Sequence, residues 1–479
     1  MEKRANGAFL TEAPSSWTIV QQGIDGFAEW TLRGSWHAEG DYELERAQVY
    51  ARIVREDDGR LVLAWTPAEM EEERSWTVRL RVPAGGLYRV ETCLRVRKDD
   101  PAMEWPMRGD MIHHLGVGDL WIIAGQSNAA GYGRGPCEDG PEPGVHMLRL
   151  NGQWDMASHP LNDPTATRFA PNREWSNPGH SPFLLFGKRL RAELGYPIGL
   201  LPTALGGSHL HSWNPEEQGE LYRNMLDIAA AAGGRVKGVL WYQGCSDANM
   251  PETDESDTYL ERFGAWVRCL RKDFGDSELP VLTVQLNRLI GWETGDELDR
   301  CWGRVREAQK EAAERLPNVY VVPSLDCEVC DNIHNAPAGN RLIGERLAAA
   351  ALGGVYGKRG FERHRAPRAK EAVIRRGISS HEASGAGEIV LRFSDVCGRL
   401  LAHTKEEVFR AEDEAGKLGV IEWRVTGEAE IVLSLSREPV GETFVHGAYE
   451  TNPAYYVPFD DESRLPMLAF YRLQAREPG

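Results

Sequence analysis

Apolar and polar positions alternate through much of the first hundred residues. Trp76, Val78, Leu80 and Val82 alternate with Thr77, Arg79 and Arg81, and Pro83-Ala84-Gly85-Gly86 then interrupts the run. Beyond it Tyr88, Val90, Thr92, Leu94 and Val96 alternate with Arg89, Glu91, Arg95 and Arg97. A period of two places every second side chain on one face of a strand. Two such runs around a glycine-containing connection predict a β-hairpin with one buried face. Leu61-Val62-Leu63-Ala64-Trp65 predicts a further strand, so an antiparallel, sandwich-like β domain is expected over 1–115.

From about Gly118 the pattern changes. Short apolar runs at 120–123, 198–201, 236–240, 281–284 and 319–322 are separated by helical stretches at 183–194, 259–271 and 298–314. A further helix is expected over 341–351. Nearly continuous apolar strands between amphipathic helices predict an α/β domain, its parallel sheet covered on both faces, over 116–357. A charged linker, 358–365, follows. Alternation then returns at Ile389, Leu391 and Phe393 and at Ile431, Leu433 and Leu435, which predicts a second antiparallel β domain within 358–479.

A chain of 479 residues is long enough for two or three such domains. Its formal net charge of -17 repels phosphate backbones and acidic membrane surfaces, so neither nucleic acid nor membrane is an expected partner. No stretch approaches the roughly 20 apolar residues of a membrane span. The residues after Met1 lack the apolar segment of a secretory signal. Eight cysteines scattered over this length do not form a disulfide scaffold. The expected location is the cytoplasm.

The candidate chemistry follows the strands. Gly125-Gln126-Ser127-Asn128, Gly206-Gly207-Ser208 and Gln243-Gly244-Cys245-Ser246 come directly after three of them, and Asp331-Asn332-Ile333-His334 lies a loop beyond the fifth. Open α/β sheets bind ligands at the carboxyl ends of their strands. A serine needs a base to become a nucleophile, and histidine is the usual one. The oxyanion that forms needs fixed donors, and a carboxylate must orient the imidazole. Each segment alone reads more readily as a turn or a helix cap; their joint placement points to a site.

Together the four segments resemble the SGNH hydrolase superfamily, in its sialate O-acetylesterase and acetylxylan esterase branch. Asp119 through Asn128 resembles the nucleophile segment, Leu205-Gly206-Gly207-Ser208 with Trp213 the second, and Val239 through Gly244 the third. Asp331-Asn332-Ile333-His334, with Gly344-Glu345-Arg346-Leu347-Ala348 beyond it, resembles the last. The 83–86 connection and the end of the chain, from Val445 to Pro466, resemble the flanking β regions of sialate O-acetylesterases. The resemblance implies a flavodoxin-like three-layer catalytic domain and hydrolysis of acetyl esters on a sugar or oligosaccharide, with no metal or organic cofactor. By that resemblance Ser127 is the nucleophile, His334 the base and Asp331 its orienting acid. The Ser127 N–H, the Gly207 N–H (or that of Gly206) and the Gln243 side chain would form the oxyanion hole. Asn128 would touch substrate, and Trp213 would either present its face to the sugar ring or simply pack.

Two departures stand out. Cys245 occupies the position of a family glutamate that can assist the base, which throws weight on Asp331, with Asp247 and Asp326 as alternatives. Asn335 stands where proline usually follows the histidine. Cys327-Glu328-Val329-Cys330 has a metal or redox spacing, but no second pair accompanies it, and loop-shaping is the simpler reading. His209 and His211 flank the second segment and are equally readable as substrate contacts or loop residues. Rival functions are an acetylxylan or other plant-oligosaccharide esterase, a lipase or peptidase with the same triad, and a non-catalytic carbohydrate-binding protein.

Overall fold

The computed structural model describes residues 5–40, 42–97, 107–175, 178–291, 295–376, 387–404 and 406–478. Three large apolar cores organise them, centred on Trp30, Trp76 and Leu94, on Trp121, Phe186 and Trp241, and on Leu391, Phe409 and Phe470.

The amino-terminal region is a sandwich of two sheets, and its expected hairpin does not form. The strand Ser75–Pro83 pairs with Phe27–His37 and Glu69–Met70 in one sheet. The strand Gly85–Arg97 pairs with Glu43–Arg55 and Met107–Gly125 in the other. Between them the chain changes sheets. Gly85 and Gly86, at φ +139° and +130°, make that corner. A Cβ on Gly86 would lie 2.8 Å from the Leu115 carbonyl oxygen, so the close approach needs glycine. Alternation was the right signal for two strands, but a period of two also fits neighbours that part company at a sandwich edge. The domain is not wholly antiparallel either. Ile19–Gln21 runs parallel to Gly116–Gly118, a pairing between segments far apart in sequence that no hairpin signal marks.

Met107–Gly125 is the axis of the molecule. Ile112, Leu115 and Val117 lie in the sandwich core, while Leu120 to Ala124 lie in the next core. The second half of this strand sits at the centre of a sheet ordered Trp154–Met156, Val145–Leu148, Ile198–Pro202, Met107–Gly125, Gly238–Tyr242, Val281–Val284, Val319–Val322. All these pairings are parallel except that of Trp154–Met156. After Met107–Gly125 the chain fills one side of the sheet, placing Ile198–Pro202 last and next to it, then crosses over to build outward on the other. The reversal places three loops side by side at the carboxyl ends of adjacent strands. Helices Phe183–Leu194 and Pro337–Ala350 pack together, as do Glu255–Phe274 and Asp296–Arg315. Among the described residues, no helix is long and apolar enough to cross a membrane.

The carboxy-terminal region is an eight-stranded sheet, mixed rather than antiparallel, because Arg368–Arg375 lies parallel to Phe470–Arg476. It is fastened to the α/β region by two buried arginines. Arg306 donates to the carbonyls of Tyr449 and Glu450 at 2.9 and 2.5 Å. Arg288 donates to those of Pro453 and Ala454 at 2.5 and 3.0 Å. Charge-assisted bonds of this kind satisfy both the cation and the loop carbonyls out of water.

Candidate active site

The site is built on the three adjacent strand ends. Gly125, at φ +126°, ends the central strand where a Cβ would lie 2.2 Å from the Tyr242 oxygen. The chain then turns into the short helix Ser127–Ala130, which puts Ser127 at its first position. Gln126 holds this turn against the neighbouring loop, its Oε1 accepting from the N–H groups of Gly244 and Ser246 at 3.0 and 3.3 Å. Neither the Ser127 hydroxyl nor its N–H has a partner among the described residues.

His334 stands on the loop before the helix Pro337–Ala350. Its Nδ1 donates to Asp331 Oδ2 at 2.7 Å, while Asp331 Oδ1 accepts from the N–H groups of Ile333 and His334 at 2.9 and 2.7 Å. The carboxylate can only accept, so Nδ1 carries the proton and Nε2 keeps its lone pair. Burial raises the Asp331 carboxyl, but the two N–H groups and the imidazole lower it by more, and it sits below its ordinary value. Asp247 and Asp326 are engaged elsewhere. Asp326 pairs with Arg346 through both oxygens at 2.7 and 2.6 Å. Asp247 is buried against Leu210 N–H and Gln243, and burial pushes its carboxyl up.

Asn128 joins the serine turn to the histidine loop. Its Nδ2 donates to the Ile333 carbonyl at 3.2 Å and its Oδ1 accepts from the Asn335 N–H at 3.0 Å, so it grips the chain on both sides of His334. Asn128 was expected at substrate, but it is buried with both ends of its amide committed, and it is a positioning residue. Asn335 completes the clamp by donating to the Tyr242 hydroxyl at 3.1 Å. An Asn128→Ala enzyme is expected to lose about 100-fold in kcat with KM little changed, the cost of a base displaced by about 1 Å. A larger change in KM than in kcat for p-nitrophenyl acetate would contradict that role.

The oxyanion side differs from expectation. Gln243 is fully buried, its amide N–H groups donating to the Ser208 carbonyl at 3.1 Å and to Asp247, while its Oε1 accepts from the Tyr259 hydroxyl at 2.9 Å. It has no donor left for an oxyanion and instead fixes the Ser208 loop. Gly206 is also occupied, donating to Glu174 Oε2 at 2.8 Å. Gly207 is free: its N–H has no acceptor among the described residues, and its φ of +64° leaves open space around the α-carbon.

Trp213 belongs to the core. It has no exposed surface, its Nε1 donates to Ser208 Oγ at 3.0 Å, and its ring meets Trp241 edge-on at 5.4 Å. It cannot face a sugar. Trp213→Ala is expected to cost about 3–5 kcal/mol of stability, as for other buried tryptophans. Denaturant unfolding measures this; an unchanged midpoint with a raised KM would restore the substrate role. Cys245 is equally buried; burial pushes its thiol up to about 12 against the pull of Arg306, so it supplies neither an acid nor a thiolate. Cys327 and Cys330 are both free thiols.

Two residues not anticipated complete the surroundings. The Tyr132 ring lies 5.0 Å from that of His334, and its hydroxyl donates to Glu174 Oε2 at 2.6 Å. Glu174 thereby links the surroundings of the His334 ring to the Gly206-Gly207 turn. The Gly131-Tyr132-Gly133 sequence after the helix was the available signal for Tyr132; Glu174 lies in a loop with none.

The chain is similar to known proteins. Residues 117–353 match the model of a family described as carbohydrate esterase, sialic acid-specific acetylesterase. A probable carbohydrate esterase of Arabidopsis thaliana is 28% identical over 255 residues, which cover 49% of this chain and 90% of that protein. Human sialate O-acetylesterase is 24% identical over 305 residues, 52% of this chain and 55% of that protein, so the chain spans little more than half its length. The crystal structure of a carbohydrate acetylesterase from Xanthomonas citri superposes with a TM-score of 0.62 at 22% identity, covering 95% of this chain and 97% of that one, a likeness of fold that includes the flanking β regions.

Proposed function

We propose, on the premise that residues 117–353 belong to the sialic acid-specific acetylesterase family of carbohydrate esterases, that this chain removes acetyl groups from sugar hydroxyls through a covalent serine intermediate. The observation that carries the reading is the 2.7 Å Asp331–His334 bond, on a loop clamped to the Ser127 turn by Asn128. In the proposed reaction Ser127 Oγ attacks the acetyl carbonyl carbon as His334 Nε2 takes its proton. The N–H groups of Ser127 and Gly207 receive the oxyanion. The bond to the sugar oxygen breaks, and His334 returns the proton to that oxygen. Water, deprotonated by the same nitrogen, then attacks the acetyl-enzyme, and the proton passes to Ser127 Oγ as its bond to the acetyl carbon breaks and acetate leaves. Asp331 stabilises the imidazolium at each stage.

The fold proposed with this reading is a three-layer, flavodoxin-like catalytic domain, supported by the two helix pairs packed about the parallel sheet. A cytoplasmic location goes with it, on eight cysteines that are all unpaired. Acetyl on the 9-hydroxyl of a sialic acid is the favoured substrate, in keeping with the family. The match over 90% of the plant protein, which is named a probable carbohydrate esterase, keeps a second reading in view, deacetylation of acetylxylan or other plant oligosaccharides. Acetate release separates them: wild type should act on p-nitrophenyl acetate and faster on O-acetylated sialic acid than on acetylated xylo-oligosaccharides. The reverse order would move the assignment to the second substrate class. No turnover of any acetyl ester would leave a carbohydrate-binding protein.

A further inference from the structure

We propose that His209, His211 and Glu255 form a binding site for one divalent transition-metal cation of the zinc, nickel or cobalt class, just beyond the Gly206-Gly207 turn. The proposal stands apart from the esterase reading. His209 and His211 lie at the start of the short helix Leu210–Trp213, two and four residues beyond Gly207. Glu255 opens the helix Glu255–Phe274. Its two oxygens divide between the rings, Oε2 standing 3.0 Å from His209 Nδ1 and Oε1 3.5 Å from His211 Nδ1. The rings are parallel to within 4°, with centroids 5.2 Å apart, and one ligand atom from each of the three residues lies within 4.8 Å of the others.

The two histidine–carboxylate spacings are close to what a shared ion requires, the third pair of donors lies within 4.8 Å, and a turn of the two stacked rings toward a common point brings all three onto one ion. Ligand atoms held about 2.0–2.1 Å from a metal at tetrahedral or octahedral angles stand roughly 3.0–3.4 Å from one another. Two imidazoles and one carboxylate are the donor set of zinc and its neighbours, whereas calcium and magnesium take oxygen donors. The side chains are 27%, 31% and 18% exposed, so an ion can enter and keep open positions for water. The charge is of the right sign. Among the described residues no lysine or arginine forms an ion pair with Glu255, and Arg262 is committed to Glu217 at 2.9 Å through two nitrogens. A carboxylate set between the rings repels an anionic ligand.

A second histidine–carboxylate cluster makes the contrast. Asp139 accepts from His159, His180 and Lys188 at 3.0, 3.1 and 2.6 Å, and its side chain is only 2% exposed. There an ammonium already holds the carboxylate, and an incoming dication would lie beside it. That cluster is a closed ion-pair hub.

The test uses the full chain stripped of metal with a chelator and titrated with zinc chloride in a calorimeter. One zinc per chain is expected at micromolar concentrations or below. His209→Asn with His211→Asn should weaken binding at least about 100-fold, more than the loss of an outer-shell partner. Glu255→Gln alone should weaken it about tenfold. Asp139→Asn should leave it unchanged. Circular dichroism establishes that each variant is folded. Cobalt in place of zinc should give a visible spectrum without a sulfur charge-transfer band. The proposal is overturned if the double variant binds as tightly as wild type, if Asp139→Asn removes the site, if cobalt reports thiolate ligation, or if zinc shows no saturable binding below millimolar concentration.

Discussion

Ser127→Ala should lower kcat for acetate release from p-nitrophenyl acetate by about 10⁶-fold, the scale on which removing a triad nucleophile acts. The substitution deletes one oxygen at the first position of the Ser127–Ala130 helix and leaves that residue's N–H in place. The free Gly207 N–H and the Asp331–His334 pair are also untouched, so binding and a fraction of oxyanion stabilisation survive. KM should therefore move little while turnover collapses. A fluorophosphonate should label the wild type at Ser127 and leave the variant unlabelled. Retention of more than a tenth of wild-type turnover would remove Ser127 from the mechanism, and labelling elsewhere would name its replacement.

Asp331→Asn should cost about 10⁴-fold in kcat, again with KM nearly constant. An asparagine can turn its NH₂ toward His334 Nδ1, which makes that nitrogen an acceptor and moves the proton to Nε2, where the lone pair is needed. It also removes the charge that stabilises the imidazolium. Because Asp331 sits below the ordinary carboxylate value, mild acidification leaves it ionised. The same depression stabilises the loop above the ordinary carboxylate range, and that contribution disappears only as the pH falls through the lowered value. Near-normal activity in Asp331→Asn would mean that His334 works as a dyad with serine. Since Asp247 and Asp326 have other partners, neither stands ready to substitute.

The parts of the molecule that sequence made plain are those whose physics is local. The strands Val281–Val284 and Val319–Val322 and the helix Phe183–Leu194 fall where periodicity puts them, because unbroken apolar runs and a 3.6-residue stripe are set by near neighbours. Val145–Leu148 was passed over: a buried histidine interrupts it, and His146 is satisfied by the Trp17 carbonyl at 2.7 Å, 129 residues away. The site divides in the same way. Asp331 and His334 are three residues apart, close enough in the chain for one turn to bring them together. Trp213, Asn128 and Gln243 were assigned by resemblance, and what they touch is decided by Trp241, Ile333 and Asp247, none of which is marked by spacing. A residue's chemistry is legible in the chain, but its partner often is not.

The strand Met107–Gly125 carries a consequence for how the protein can be cut and recombined. Three cores would ordinarily mean three exchangeable modules, yet this strand lends its first half to one core and its second half to the next. A fragment beginning at residue 116 would leave the ladder positions of Gly116 and Val117 without Gly86 and Gly85, and would strip Gln21 from the carboxylate of Asp119 and from the N–H of Leu120. The Ser127 turn hangs from that same strand. The amino-terminal sandwich is thus spliced into the enzyme's backbone, and shuffling it between relatives would mean exchanging the serine's own support along with it.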